Sequence, residues 1–188
     1  MSEFIFIGNP KAGQGRSQEL IEQAKTKFTS YPCRFYSPRN VSELRSITES
    51  FESRPPSGVF IVGGDGTMNR LLPFLIDSKI PLGVVPAGTA GDLASELGHC
   101  SDLSWIESQM DSRFKSHREI DLIKINGRPF ATAGGIGIGA ILTQEYNDKR
   151  ELSSNFKKMS QVLKSQVYTY LSAKTTLFRK DYIHYLSY

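Results

Sequence analysis

Short apolar runs alternate with amphipathic segments over much of the chain, and this alternation limits the possible folds more than any other feature. The runs "EFIFIGN", "CRFYS", "GVFIVGG" and "PLGVVPAG" are rich in β-branched and aromatic residues, as buried strands are. Apolar residues at helical spacing follow the runs. Strands that alternate with helices form a parallel sheet covered by helices, so the sequence predicts an α/β fold.

Capping residues, glycines and prolines indicate where the helices begin and end. We expect a first helix from about Ser17 to Phe28. Either Asn40 or Ser42 could cap a second helix, which ends before the paired prolines of "RPPSG". A third helix continues to about Ile76, and two more are predicted over "AGDLASELG" and "SDLSWIESQM".

The pattern changes after the fifth predicted helix. "HREIDLIKING" and "RPFATAGGIGIGA" are typical of two strands joined by an Asn126-Gly127 turn, which is a strong hairpin signal. Apolar residues then recur at steps of three and four over 152–171, which predicts a long amphipathic helix before the strand-like "DYIHYLSY". We therefore predict an α/β domain over 1–116, followed over 117–188 by the beginning of a β-rich second domain that we expect to be incomplete.

Three glycine-containing turns follow the predicted strands: "GNPKAGQG" (Gly8–Gly15), "GGDGTMN" (Gly63–Asn69) and "PAGTAGD" (Pro86–Asp92). Because the carboxyl ends of parallel strands share one edge of a sheet, a single ligand could contact all three turns. Backbone N–H groups at such turns bind anions, and the Thr, Asn and Asp side chains suit phosphate, ribose or a hydrated metal. Turns without a ligand are the alternative, and three turns at one edge favour the ligand.

Charge is distributed unevenly along the 188 residues. The net charge is +4, but from Lys149 onward there are eight Lys and Arg and two acids, which makes this part +6 and the preceding part −2. The basic helix over 149–180 predicts peripheral contact with an anionic membrane surface, and a solvated helix face would explain the same residues. We predict no nucleic-acid partner.

The cysteines and the amino terminus indicate a cytoplasmic protein. Cys33 and Cys100 lie far apart without metal-ligand spacing, which favours two reduced thiols. The three histidines form no recognisable ligand cluster, so we expect them to be incidental. No basic region precedes the first strand, and the longest nearly apolar stretch, "FATAGGIGIGAIL", is too short to span a bilayer. We expect a cytoplasmic location that could extend to the inner face of the membrane.

The three turns together resemble those of a known family. "NPKAG", "GGDGTMN" and "PAGTAGDLA", in this order, are similar to the diacylglycerol kinase catalytic-domain superfamily, which includes sphingosine, ceramide and bacterial YegS-like lipid kinases. The resemblance continues through "EIDLIKINGRPFATAGGIGIGA" and the helix that follows. "GGDGT" is shared with NAD kinases and phosphofructokinases, so the resemblance implies a first domain of their type.

The resemblance implies that ATP with Mg²⁺ binds between two domains and that its γ-phosphoryl group passes to a lipid hydroxyl. Diacylglycerol or a related lipid alcohol would be the acceptor, within phospholipid biosynthesis. The positions that match nucleotide-binding residues are Asn9, Pro10, Ala12, Gly13, Ser37, Gly64, Asp65, Gly66, Thr67, Asn69, Gly88 and Thr89.

Three acidic residues match family positions that activity requires, namely Asp65, Asp92 and Asp121, and Asp65 is also the expected Mg²⁺ ligand. Structural roles are the alternative for two of them. Asp92 could accept hydrogen bonds at a helix N-terminus, and Asp121 could pair with Lys124 or Arg118.

The match also departs from the family pattern. Arg70 replaces the usual Glu, Gly91 replaces the usual Asn, and no "DGE"-like motif with its general base occurs in the chain. We therefore expect residues 1–188 to bind nucleotide weakly and to phosphorylate lipid poorly or not at all. An NAD kinase-like enzyme and a catalytically inactive nucleotide-binding module are the alternatives. Since unfinished sheet edges invite pairing, a homodimer is a further expectation.

Overall fold

A computed structural model describes residues 3–88, 91–125, 127–131 and 180–187 of the chain. Its elements are β1 (Phe4–Gly8), a 3₁₀ turn (Ala12–Gly15), α1 (Arg16–Lys27), β2 (Cys33–Tyr36), α2 (Val41–Ser53), β3 (Gly58–Gly63), α3 (Asp65–Leu75), β4 (Leu82–Pro86), α4 (Asp92–Glu96), α5 (Leu103–Ser112), β5 (His117–Ile125), β6 (Arg128–Phe130) and β7 (Lys180–Ser187).

The described strands form one sheet in the order β2-β1-β3-β4-β7-β5-β6. The first four are parallel to one another, which confirms the predicted α/β architecture. β7 joins β4 in parallel through the pair Leu82 and Leu186, and β5 runs antiparallel to both β7 and β6. The parallel sheet is thus followed by the beginning of an antiparallel portion, as predicted. The division into domains 1–116 and 117–188 stays a prediction.

The predicted hairpin is present between β5 and β6. Lys124 pairs with Pro129 across the two strands, and Gly127 in the turn has a φ of 79°. Such a left-handed conformation suits glycine, which has no Cβ to clash with the backbone. The helix predicted over 152–171 lies outside the described residues.

Two apolar layers cover the parallel strands. On one face β-strand residues pack with α2, α3 and α4, and on the other face they pack with α1 and α5. Alternate residues of β3 divide between the faces, Val59 and Ile61 to the first and Phe60 and Val62 to the second. This alternation follows from the two-residue period of a strand, and it explains why the run is apolar throughout.

Aromatic rings dominate the layer under α1 and α5. Phe60 lies at its centre, with ring centroids 4.8 Å from Phe6 and 5.0 Å from Phe114. Two strand glycines make room for these rings. A Cβ atom at Gly58 would lie 2.1 Å from Cε2 of Phe114, and one at Gly83 would lie 2.7 Å from Cδ1 of Phe60. The glycines are therefore required by aromatic packing.

Two helices are capped by the side chain of their own N-cap residue. Asn40 Oδ1 accepts a hydrogen bond from the backbone N–H of Glu43 at 2.9 Å, so Asn40 and not Ser42 caps α2. Asp102 Oδ1 accepts from the N–H of Ser104 at 2.8 Å and caps α5. Both caps satisfy N–H groups that a helix start leaves without intrahelical partners.

His99 has a structural role that was not predicted from the sequence. The residue is 5% exposed, and its Nδ1 accepts a hydrogen bond from the backbone N–H of Val84 in β4 at 3.2 Å. The indole of Trp105 packs on the imidazole, with centroids 4.8 Å apart. In the described sheet β7 pairs with β4 at Leu82. Further along the same edge of β4, the His99 side chain and not a strand satisfies the N–H of Val84.

The half-buried thiol of Cys33 in β2 provides a test of this packing. Its Sγ lies 3.8 Å from Sδ of Met110, and burial raises the pKa of the Cys33 thiol from 9.0 to about 11. In a Cys100→Ser variant, we expect the rate of iodoacetamide alkylation to rise about tenfold per pH unit up to about pH 11, because only the thiolate reacts. The same variant in urea should reach its plateau near pH 9, and a folded-state plateau there would contradict the expected burial.

Candidate nucleotide site at the glycine-rich edge

The carboxyl ends of β1, β3 and β4 lie at one edge of the sheet. Gly8 pairs with Val62, and Gly63 pairs with Pro86, so the three strands end at similar levels. The residues that follow them are 9–15, 64–66 and 87–88, and we call this region the glycine-rich edge. Ligands of open parallel sheets bind beyond this kind of edge.

The first turn of the glycine-rich edge is organised by Asn9. Its side-chain Oδ1 accepts a hydrogen bond from the N–H of Lys11 at 3.1 Å, and its carbonyl accepts from the N–H of Ala12 at 2.9 Å. Residues 13–15 then all have positive φ angles. Glycine at 13 and at 15 permits this conformation, which reverses the chain just before α1 begins.

Gly13 brings the first turn into contact with the turn after β4. A Cβ atom at this position would lie only 1.6 Å from the carbonyl oxygen of Ala87, and Gly13 has a φ of 61°. Ser17 supports the same arrangement from α1, since its buried Oγ donates a hydrogen bond to the carbonyl of Val62 at 2.9 Å. The first turn therefore lies over the end of β3 and reaches the end of β4.

A second close approach joins the turns after β3 and β4. A Cβ atom at Gly88 would lie 2.9 Å from Cα of Gly64, so the two backbones are in direct contact. Side chains at this point would force the turns apart. Contacts at Gly13 and Gly88 thus bring all three turns together at one edge of the sheet.

The start of α3 lies within the predicted turn Gly63–Asn69. The helix begins at Asp65, and the N–H groups of Thr67 and Met68 already donate to the carbonyl of Gly64. Gly66 and Thr67 therefore belong to the first helical turn. No side chain caps this helix. Because α3 begins directly after β3, its positive dipole end lies at the glycine-rich edge.

Asp65 connects α3 to α4. Its Oδ2 accepts a hydrogen bond from the N–H of Asp92 at 3.1 Å, and its Oδ1 accepts from the N–H of Leu93 at 3.2 Å. In the first of these bonds Asp92 donates its backbone N–H. Asp92 is the first residue of α4, and its side chain is exposed. Asp65 and Asp92 are therefore adjacent, as the resemblance implied for two residues of one site.

Other predicted residues lie in or near this arrangement. Pro10 and Ala12 belong to the first turn, and exposed Ser37 directly follows β2 at the same end of the sheet. Asn69 lies further along α3, where its Oδ1 accepts from the N–H of Ala131 at 3.2 Å. Thr89 lies outside the described residues.

Asp121 is not brought to the glycine-rich edge by the described sheet. It pairs with Tyr182, and Leu186, further along the same strand, pairs with the first residue of β4, Leu82. Asp121 therefore lies beyond the amino-terminal end of β4, whereas Asp65 follows the carboxyl end of β3. The catalytic role of Asp121 stays a prediction.

Two residues that support the site were not identified from the sequence. Ser17 hydrogen-bonds the end of β3, and the carbonyl of Ala87 contacts Gly13. A serine at a helix start is a recognised capping signal, but its bond to a strand 45 residues away is a tertiary contact. The role of Ala87 is carried by its backbone, for which the residue type gives no signal.

The described part of the chain contains neither a metal-binding cluster nor a helix suited to cross a membrane. No group of three or more His, Cys, Asp or Glu residues there could hold a metal ion. No helix among residues 3–88, 91–125, 127–131 and 180–187 has the length and apolarity needed to cross a membrane.

The fold is an α/β sheet with three glycine-containing turns in contact at one edge, and comparison with known proteins identifies the family. Residues 3–125 match the model of the diacylglycerol kinase catalytic domain. The chain belongs to this family, and several of its relatives carry provisional names as lipid kinases.

The relatives are longer than this chain. A Staphylococcus haemolyticus protein with a provisional lipid-kinase name is 33% identical over 107 residues, which are 55% of this chain and 33% of the relative. A Synechocystis protein of unassigned function is 26% identical over 83% of this chain and 38% of its own length. The chain thus spans about a third of the length of these curated relatives.

Solved structures support the fold. A crystal structure of a diacylglycerol kinase from Bacillus anthracis matches with a TM-score of 0.52 and 22% identity, over 69% of this chain and 48% of that one. At this level of identity the match shows a shared fold.

Proposed function

We propose that this chain forms the ATP-binding part of a lipid kinase, which transfers the γ-phosphoryl group of ATP to the hydroxyl of a lipid such as diacylglycerol. Family membership supports the lipid-kinase class. The observation that carries the ATP proposal is the open space over Gly66, at the dipole end of α3 and beside the meeting turns.

Gly66 has no explanation in the fold itself. Its φ is not positive, and a Cβ atom there would find nothing within 4 Å. Alanine at a helical position is more favourable than glycine by up to about 1 kcal/mol. A helical glycine with open space above it is therefore suited to the close approach of another molecule to the backbone.

A polyphosphate fits the surroundings of Gly66. The start of α3 presents helix N–H groups, and anions bind there through these groups and the helix dipole. The exposed side chains of Lys11 and Arg16 flank the first turn and add positive charge to the same edge. Both features favour phosphate oxygens over an uncharged ligand.

Mg²⁺ would accompany the phosphates and reduce their charge during transfer. This ion keeps several waters and usually needs only one or two protein carboxylates beside the phosphates. Asp65 is the candidate ligand, because each of its oxygens has acceptor capacity beyond the one N–H bond that it receives.

In the proposed transfer, the bond between the γ-phosphorus and the β–γ bridging oxygen breaks, and a bond to the lipid oxygen forms. ADP leaves with the bridging oxygen, and the hydroxyl proton passes to a general base or to water. What the described residues contribute is positioning and electrostatic stabilisation, which dominate phosphoryl transfer.

The test of the proposal combines binding with transfer. ATP is titrated into chain 1–188 by calorimetry, and γ-labelled ATP is then offered with diacylglycerol in mixed micelles or with NAD. We expect saturable ATP binding. Label in NAD and not in lipid would favour the dinucleotide kinase, and a folded chain that does not bind ATP would refute the proposal. Binding with little or no transfer is expected both of this part of a lipid kinase and of an inactive binding module.

Substitution of Gly66 should separate binding from folding. We expect Gly66→Ala to weaken ATP binding at least tenfold, and Gly66→Asp more strongly, because both occupy the open space and the second adds negative charge. The free energy of unfolding should stay equal or rise by up to about 1 kcal/mol in Gly66→Ala. Calorimetry and urea denaturation measure the two quantities.

A matched control uses an exposed helical position away from the glycine-rich edge. Glu49→Ala in the third turn of α2 changes a helical residue to alanine in the same way. It should leave ATP binding unchanged. Wild-type affinity in Gly66→Asp would contradict a nucleotide at this helix end.

A further inference from the structure

The short helix α4 lacks a cap of its own. It spans only Asp92–Glu96, and its N-cap residue, Gly91, has a φ of 67° and contributes no side-chain hydrogen bond. Left-handed backbone explains why glycine is suitable at this position. The first N–H groups of α4 must therefore be satisfied from elsewhere.

The carboxylate of Asp65 supplies this cap from another element. Its two oxygens accept separate hydrogen bonds from the N–H groups of Asp92 and Leu93, 27 and 28 residues further along the chain. An ionised carboxylate at a helix N-terminus also interacts favourably with the helix dipole. Asp65 thus joins the start of α3 to the start of α4.

This cap lies beside the backbone contacts that hold the turns together. Gly88 lies against Gly64, the residue before Asp65, and Ala87 lies against Gly13. Ala87 and Gly88 lie between β4 and α4 in the chain. A bond that fixes the start of α4 therefore also limits the movement of these two residues.

From these contacts we infer that Asp65 is a positioning residue for the nucleotide site, which acts through the start of α4 and does so without a metal ion. The inference rests on the proposed function, since ATP is the ligand whose affinity reports it. This positioning role adds to the candidate role of Asp65 as a Mg²⁺ ligand. Loss of positioning should weaken ATP binding with or without Mg²⁺, whereas loss of ligation should weaken it only in Mg²⁺.

The Asp65→Asn variant tests the inference. The amide retains one acceptor oxygen, so it keeps at most one of the two bonds and loses the charge. We expect amide hydrogen exchange at Asp92 and Leu93, followed by NMR without nucleotide, to become about tenfold faster. ATP affinity should fall about tenfold in Mg²⁺ and by a similar factor in EDTA.

A control for the loss of a helix cap is Asp102→Ala, because alanine removes the only acceptor that the cap uses. Asp102 caps α5 through the N–H of Ser104, and α5 packs on the opposite face of the sheet from α3 and α4. This variant should speed exchange at the start of α5 and leave ATP affinity unchanged. Exchange of the β1 and β3 amides reports whether each variant is folded.

A second variant, Asp65→Glu, keeps a carboxylate for a metal but displaces it by one methylene group. It should also accelerate exchange at Asp92 and weaken ATP binding in EDTA, and it replaces Asp65→Asn should that variant not fold.

Two results would overturn the inference. One is wild-type exchange at Asp92 and Leu93 in Asp65→Asn, and the other is an affinity loss that occurs only in Mg²⁺, which would identify metal ligation as the role. Absence of ATP binding by the wild type would instead refute the proposed function, and the exchange rates would still decide whether Asp65 holds α4.

Discussion

Replacing Gly13 with alanine is expected to reduce the free energy of unfolding of the chain by about 4 kcal/mol. The added Cβ would lie 1.6 Å from the carbonyl oxygen of Ala87, and backbone atoms cannot move aside as a flexible side chain can. Overpacking and a left-handed non-glycine residue each cost about 1–3 kcal/mol. Urea denaturation followed by circular dichroism measures the loss.

Gly15→Ala is the matched control for this effect. Gly15 also has a positive φ, of 99°, but a Cβ there would find nothing within 4 Å. The control therefore includes the backbone strain without the contact and should cost about 1–3 kcal/mol. Equal losses in the two variants would show that the contact between the first turn and Ala87 contributes nothing.

Phe60→Ala is expected to lower the free energy of unfolding by about 3–5 kcal/mol. Phe60 is fully buried in the central strand β3, and its ring packs against three others, those of Phe4, Phe6 and Phe114. Truncation removes these contacts and leaves a cavity. Gly83 has no side chain to fill it, and the neighbouring rings of Phe4, Phe6 and Phe114 are buried in the same core. Thermal and urea unfolding measure the change.

Phe35→Ala provides the comparison on the edge strand β2. Phe35 is partly exposed and stacks on Phe6 with centroids 4.8 Å apart. Solvent already covers part of its ring, so the same substitution should cost about half as much. A larger loss at Phe35 than at Phe60 would contradict the assignment of Phe60 to the centre of the core.

Much of the fold could be predicted because local patterns determine it. The run Val59–Val62 predicts a buried strand from its residue types, and Asn126-Gly127 predicts the hairpin between β5 and β6. The choice between Asn40 and Ser42 as the cap of α2 required coordinates, because either side chain can accept the bond.

The site was predicted less completely because its decisive contacts join distant residues. Strand order brings the turns to one edge, but the contact of Gly13 with Ala87 crosses the end of β3. The bonds from Asp65 to the start of α4 depend on the path of the turn between them. Motif position indicates that Asp65 belongs to the site, and coordinates are needed to see that it caps a helix.

The place of β7 in the sheet has a consequence for biosynthesis. The four parallel strands are complete within the first 86 residues, whereas β5 and β6 are made before β7, from which β6 is separated by residues 131–179. At about 5–20 residues per second on the ribosome, the hairpin waits roughly 2–10 s for the strand that lies between it and β4. During that interval one long edge of the nascent hairpin is open to chaperones and to other chains.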